Sequence, residues 1–277
     1  MVLRLDPRLP LVWRTPTSLQ IGVSRAIVTL DDVTVGTERM LAALTGGVPR
    51  AGLAMIGRAS GLRDDEVEAF LGQVGPALVR EGGSSAERVI VVTGEGPTAE
   101  AVTRLLAAEG HTVRIARTVA AAEGEPCDLA VAVGHFVLEP ALHGLWLRRD
   151  VPHLAVLVGD ADVTIGPLVE PGRSACLYCV QLHTTEADPA WPAMASQLWG
   201  RTAAADTPLV ASEAAAIAAR IVAGWFALGA ASTSGRIELD AATGATTTVP
   251  VDPHPACGCL EPGYTNSEAV AAAGARL

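Results

Sequence analysis

The sequence predicts an α/β protein of two domains: a small unit of short strands and helices, then a larger one in which strands and helices alternate. Three observations point there. At 277 residues and 49% hydrophobic side chains, the chain exceeds the usual single domain and can fill two cores. Two helical patterns joined by a tight turn lie near the front, and a β-branched run ending in a Gly-rich turn starts at Arg88. Between them, Glu81-Gly82-Gly83-Ser84-Ser85 has no periodicity and nothing to bury, so it reads as a linker. The domains are expected at 1–83 and 87–277.

The elements follow in order. Apolar-rich runs at 11–14, 18–22 and 25–30, separated by turn residues, predict three small strands. From Thr34 the period becomes helical: Met40, Leu41 and Leu44 share a face, Gly46-Gly47 ends it, and Pro49 suits the first turn of a second helix reaching Ala59. Ser60-Gly61-Leu62 turns the chain. Asp64, Asp65 and Glu66 then open a third helix with the apolar stripe Val67, Phe70, Leu71 and Val74. Helix, turn and helix beside strands predict a winged helix. In the second domain, strands at 88–93, 112–116, 129–133 and 153–158 alternate with helices at 101–109 and 141–149, which predicts a mainly parallel, Rossmann-like sheet. A long Ala-rich helix at 211–228 is apolar around most of its circumference and is expected between layers. Runs at 236–239 and 246–251 flank Thr243-Gly244 as a hairpin.

Charge excludes some partners. The net charge is −10, and there is no lysine. Residues 1–80 hold nine Arg and eight acids, the remainder eleven Arg and twenty-two acids. Neither part has the basic excess that a phosphate backbone requires, so nucleic acid is not an expected partner. No signal-like start and no uninterrupted run of eighteen apolar residues occurs, which predicts a cytoplasmic protein off the membrane.

Four of the five cysteines carry the sharpest chemical signal. Cys176 and Cys179 have the spacing of a metal-binding turn, read as a loop, and Cys257-Gly258-Cys259 forms a second pair near the C-terminus. Four thiolates with no open position define a structural zinc (Zn2+) site rather than a catalytic one. The alternatives are a disulfide or redox reading, disfavoured in a reducing compartment, and His254 in place of one thiol. Cys127 reads as core. His135, His143, His153 and His183 have no ligand spacing, and Asp160 and Asp162 receive no role. Trp191 suits either an interface or a buried insertion.

From Arg88 onward the chain resembles the ubiquitin-activating-enzyme-like (ThiF-like) superfamily. The features are the turn Gly94 to Ala99, Asp128 before a central strand, both cysteine pairs and the long helix. More narrowly, Gly166-Pro-Leu-Val-Glu-Pro-Gly-Arg-Ser-Ala-Cys-Leu-Tyr-Cys179, Asp188-Pro-Ala-Trp-Pro192 and His254-Pro-Ala-Cys-Gly-Cys259 resemble the cyclodehydratase-partner proteins of thiazole/oxazole-modified peptide biosynthesis. That resemblance implies a front winged helix that binds the leader of a precursor peptide. Carried over, the leader groove comprises Arg25, Ala26, Ile27, Val28, Thr29 and Leu30 on a strand, and Val67, Phe70, Leu71 and Val74 on the third helix.

The resemblance also implies an ATP site, and the residues argue against a working one. The loop Gly94-Glu-Gly96-Pro-Thr-Ala99 puts a carboxylate and a proline where backbone N–H groups should face phosphate. The second strand ends Arg114-Ile-Ala-Arg117 without an acid, Gly134-His135 stands where the superfamily would carry a second Asp, and no lysine is available. ATP is therefore not expected to bind here. The chain is expected to be no enzyme by itself, and to present a precursor peptide to a separate YcaO-type cyclodehydratase; a homodimer is left open. The rivals are an ATP-dependent adenylating enzyme of the sulfur-carrier-activating type and a zinc-stabilised DNA-binding regulator. The acidic start of the third helix disfavours the regulator.

Overall fold

The computed structural model describes residues 2–79, 87–228 and 235–260, and the chain divides into two compact units, Met1–Ser84 and Ser85–Leu277. The linker expected at 81–85 lies outside the described residues.

In chain order the front unit runs β1 (Val2–Leu3), β2 (Leu11–Thr15), β3 (Ser18–Ile21), β4 (Val28–Leu30), α1 (Val35–Gly46), β5 (Val48–Pro49), α2 (Arg50–Ala59) and α3 (Asp64–Val74). β2, β3 and β4 form an antiparallel sheet in that order, and β1 pairs with β5. Among the described residues β4 is therefore an edge. It is shorter than the expected 25–30, because the Ile27 N–H bonds back to the Ile21 carbonyl at 2.9 Å and closes residues 22–26 into a bend. Helix starts are locally encoded. The Thr34 hydroxyl accepts from the Thr37 N–H, and the Thr37 hydroxyl accepts from the Thr34 N–H at 2.7 Å, an arrangement worth about 1 kcal/mol. At α3, Glu66 Oε2 accepts the Arg63 N–H at 2.8 Å. Pro49 precedes α2 as its cap instead of sitting in the first turn. The core gathers Leu19, Ile21, Leu30, Met40, Leu44, Leu53 and the whole α3 stripe.

The second unit runs β6 (Val89–Thr93), α4 (Pro97–Ala108), β7 (Thr112–Ala116), α5 (Val119–Glu123), β8 (Leu129–His135), α6 (Pro140–Arg148), β9 (His153–Val158), β10 (Asp162–Val169), α7 (Leu177–Ala187), α8 (Trp191–Leu198), α9 (Pro208–Leu228), β11 (Gly235–Asp240) and β12 (Thr246–Pro250). The seven strands make one sheet in the order β12-β11-β10-β9-β8-β6-β7. β7, β6, β8 and β9 are parallel neighbours, while β9/β10, β10/β11 and β11/β12 are antiparallel. The sheet is thus mixed, not mainly parallel as expected: β9 and β10, and β11 and β12, follow one another directly as antiparallel neighbours, and the helical excursion α7 to α9 after β10 leads to β11, antiparallel to it. β10 was not anticipated: Gly166-Pro167 breaks a strand pattern, and here a register shift between Ile165 and Leu168 absorbs it.

Ile90, Val92, Leu129, Val131, Leu154 and Val156 are fully buried, each stabilising the fold by about 1.5–3 kcal/mol. α9 seals this core on one face only. Val210, Ala211, Ala214, Ala215, Ala218 and Val222 are buried, whereas Leu209, Ala216 and Ala223 are exposed, so the expected position between two layers is corrected. Residues Pro208–Ala227 are long and apolar enough to cross a membrane by composition, but their alanine face packs on the sheet and α4 as a core helix does.

Candidate functional site

β10 and β12 run in the same direction, each antiparallel to β11, so the chain leaves both strands at the same end of the sheet. That brings the two cysteine pairs together. After β10, a turn closed by the Arg173 and Ser174 N–H groups on the Glu170 carbonyl leads to Cys176, which caps α7, and Cys179 lies in the first turn of that helix. The first pair therefore sits on a helix start and not on a loop. This placement favours thiolate, because free N–H groups there carry partial positive charge. After β12, the Cys257 N–H donates to the His254 carbonyl at 2.9 Å and turns the second pair inward.

The sulfur geometry fits one tetrahedral ion. Cys176 and Cys179 Sγ are 3.8 Å apart, Cys176 and Cys257 3.7 Å, and Cys179 and Cys259 3.5 Å. A tetrahedron with metal–sulfur bonds of about 2.3 Å has edges of about 3.8 Å. All four cysteines are free thiols at these distances, beyond the roughly 2.0 Å of a disulfide bond. Cys176 and Cys179 are buried, Cys257 and Cys259 half-buried. Hydrogen bonding with Cys179 and Cys259, then burial, pushes the Cys176 thiol up, while the bonds from Cys176 and Cys259 hold Cys179 down. Burial, with the neighbouring thiolate, pushes Cys257 up to about 12. Sulfurs so close cannot all ionise without a cation among them. The cluster could hold a metal ion.

His254 is not needed as a fifth candidate. Its Nδ1 accepts the Ala256 N–H at 3.0 Å, and its Nε2 lies 2.9 Å from Glu186 Oε1. His183, Glu186 and His254 also bring ligand-type atoms within 4.8 Å of one another. His183 Nε2 faces the Asp252 carbonyl at 3.0 Å. His153 is buried with Nδ1 3.0 Å from the Val151 carbonyl. Cys127 is half-buried beside Trp146 and its neighbours, with burial raising its thiol. Trp191 starts α8 and donates to Gln181 Oε1 at 3.1 Å.

At the other end of the sheet lies the Gly-rich turn. Gly94 has φ +109°, and a Cβ there would meet the Val133 carbonyl oxygen at 2.2 Å; Gly96 has φ +98°. Both positions demand glycine. Asp128 Oδ2 accepts the Val89 N–H at 2.8 Å, fixing the base of β6 against β8. Asp206, ahead of α9, reaches into the turn: its Oδ1 accepts from the Thr98 N–H at 3.1 Å and the Thr98 hydroxyl at 2.6 Å, and its Oδ2 lies 2.8 Å from His135 Nε2. Sequence reasoning missed Asp206 and gave His135 no partner. A buried carboxylate 108 residues from its partner leaves no local signal.

In the front unit, the predicted groove residues are mostly core. Val28, Leu30, Val67, Phe70, Leu71 and Val74 are buried, Ile27 is half-buried, and Arg25, Ala26 and Thr29 are exposed. Strand alternation explains this: on β4, positions 28 and 30 face in and 29 faces out. The acids of α3 are paired locally: Arg58 with Asp64, Arg63 with Asp65 and Glu66, and Arg50 with Glu68.

No family model matches the chain, and no curated protein matches it. Solved structures do. The heterocyclase TruD superposes with a TM-score of 0.70 at 17% identity, over 94% of this chain and 42% of that one. E. coli MccB with ATP gives 0.61 at 12% identity, over 94% of this chain and 99% of that one. The microcin C7 biosynthetic enzyme MccB in complex with N-formylated MccA gives 0.60 at 12%, over 94% and 100%. The chain thus spans less than half of the heterocyclase's length. At these identities the likeness establishes the fold: an α/β architecture with a large mixed sheet, shared with enzymes of peptide modification.

Proposed function

We propose that the chain is a non-catalytic subunit that binds the leader of a ribosomal precursor peptide and presents it to a separate YcaO-type cyclodehydratase for azoline formation. The observation that carries the reading is the likeness to the heterocyclase TruD along 94% of this chain. It rests on fold and on the motifs quoted above. On this reading Met1–Ser84 is a winged-helix recognition domain, and Ser85–Leu277 is an activating-enzyme-like scaffold whose four cysteines hold one structural Zn2+. Zinc suits the site because it accepts four thiolates in a closed tetrahedron and undergoes no redox change.

Peptide recognition is assigned to the free edge of β4, where main-chain groups can accept an added strand. The burial of Val28, Leu30 and the α3 stripe moves selectivity to Arg25, Ala26, Ile27 and Thr29 and to the rim of α3. The test is fluorescence anisotropy with a labelled leader encoded beside this gene. Binding is expected, and Thr29→Asp should weaken it about tenfold while leaving the melting temperature within about 2 °C. No binding by the folded protein overturns the reading.

A specific observation favours a second reading. MccB, solved with ATP, matches over 99% of its own length, which supports an adenylating enzyme. ATP–pyrophosphate exchange by the purified chain with a peptide substrate decides between the two: exchange means an enzyme, and its absence alongside leader binding means a presenting subunit.

A further inference from the structure

The crevice at the mouth of the parallel strands is already filled. β6 is followed by β7 on one side and pairs with β8 on the other, so the connections diverge there and open a crevice at the strands' C-terminal ends. In such folds the N-terminus of the first helix, α4 here, faces a phosphate through its free N–H groups. In this chain a carboxylate stands in that position.

We propose that Asp206 is a resident anion occupying the phosphate position of this crevice, and that its removal creates a site for free phosphate or a small carboxylate. Both oxygens are committed: Oδ1 takes the Thr98 N–H and hydroxyl at 3.1 and 2.6 Å, and Oδ2 lies 2.8 Å from His135 Nε2. The Asp206 side chain is 1% exposed and that of His135 14%. Gly96 is part of the cradle, because a Cβ there would lie 2.8 Å from Asp206 Oδ2 and 3.4 Å from the His135 ring. A nucleotide phosphate would have to displace a tethered group of its own charge, and tethering gives that group a high effective concentration. The occupation is independent of Glu95, which is 73% exposed on its side chain and turned outward toward Arg117. It is also independent of the peptide-presenting reading, and either can fail alone.

The test is thermal unfolding of the full, metal-loaded chain with inorganic phosphate, acetate or Mg-ATP, against chloride at equal ionic strength. The wild type should respond to none of them. Asp206→Ala should lose roughly 5–10 °C and recover about 3 °C or more in phosphate or acetate. Asp206→Asn keeps the volume and should stay unresponsive. Asp206→Ser, which leaves a polar atom near Thr98 while opening space, carries the same expectation as Asp206→Ala. The proposal is overturned by wild-type stabilisation with phosphate or ATP, by Asp206→Ala melting like wild type, or by Ala and Ser variants that no anion stabilises. Variants that stay unfolded even in phosphate and acetate overturn it too.

Discussion

The two ends of the large sheet solve opposite electrostatic problems. Where β10 and β12 end, four cysteine sulfurs, with neighbours 3.5–3.8 Å apart, converge on a position that could hold a cation. At the C-terminal ends of β6 and β8, a helix start gathers donors, and Asp206 satisfies them from within. The same architecture thus places a cluster that could hold a metal ion at one end and a self-paired carboxylate at the other, since function resides in sites rather than in folds.

The largest effect should come from emptying the metal end. Purified chain should carry one zinc per molecule by elemental analysis. Cys179→Ser should lose it, because a serine hydroxyl is not deprotonated at neutral pH. Losing the ion releases the tether between α7 and the segment after β12, some eighty residues apart in sequence. A cost of about 5 kcal/mol, a fraction of the binding energy of small zinc-dependent folds, corresponds to roughly 10–20 °C in melting temperature for a unit of this size. Acid should mimic the mutation, since protons compete with metal for the thiolates. A full zinc complement in Cys179→Ser, or an unchanged melting point after chelation, would refute the clamp.

A smaller effect probes the self-contained end. Gly96→Ala places a Cβ at φ +98° and 2.8 Å from Asp206 Oδ2, so it should cost about 2–3 kcal/mol. Part of that cost is backbone conformation and part is collision with the carboxylate. In an Asp206→Ala background the collision disappears, and a double-mutant cycle should show coupling of about 1 kcal/mol. Strict additivity of the two changes would mean that Gly96 and Asp206 do not share the crevice.

How much of this was legible in the sequence depended on how local the cause was. α3 begins at Asp64 because three acids and a turn announce it, and β7 and β9 fall on their β-branched runs, so those elements coincide with the expectation. The cysteine pairs announced themselves by spacing, although their position on the start of α7 did not. β10 was hidden by Gly166-Pro167, whose disruption is absorbed only by the neighbouring strands. The α3 stripe was ambiguous for another reason: an apolar stripe looks the same whether it lines a groove or fills a core, and in α3 its residues are buried in the core. Asp206 was invisible because its partners, Thr98 and His135, become neighbours only through the fold of the whole unit.

The smallest expected effect sharpens the contrast between a placed carboxylate and a crowded one. Asp162 opens β10 at the same end of the sheet as the Asp206 crevice, antiparallel to β9. Burial, then Glu238, Asp160 and Asp240, push its carboxyl up from its ordinary value, with Arg236 opposing them. Unlike Asp206, it is surrounded by like charge. For an acid raised in the folded state, ionisation opposes folding. The penalty is complete above the folded pKa and fades as pH falls through it toward the unfolded value near 3.8. Asp162→Asn should therefore stabilise the protein at neutral pH. The gain is only about 0.3–0.5 kcal/mol, because the side chain is exposed and water screens its neighbours. Urea unfolding of both proteins at pH 7 and pH 4 measures it: the difference should be present at pH 7 and shrink at pH 4. A destabilised variant at pH 7 would show that Asp162 makes a favourable contact, and that crowding does not distinguish it from Asp206.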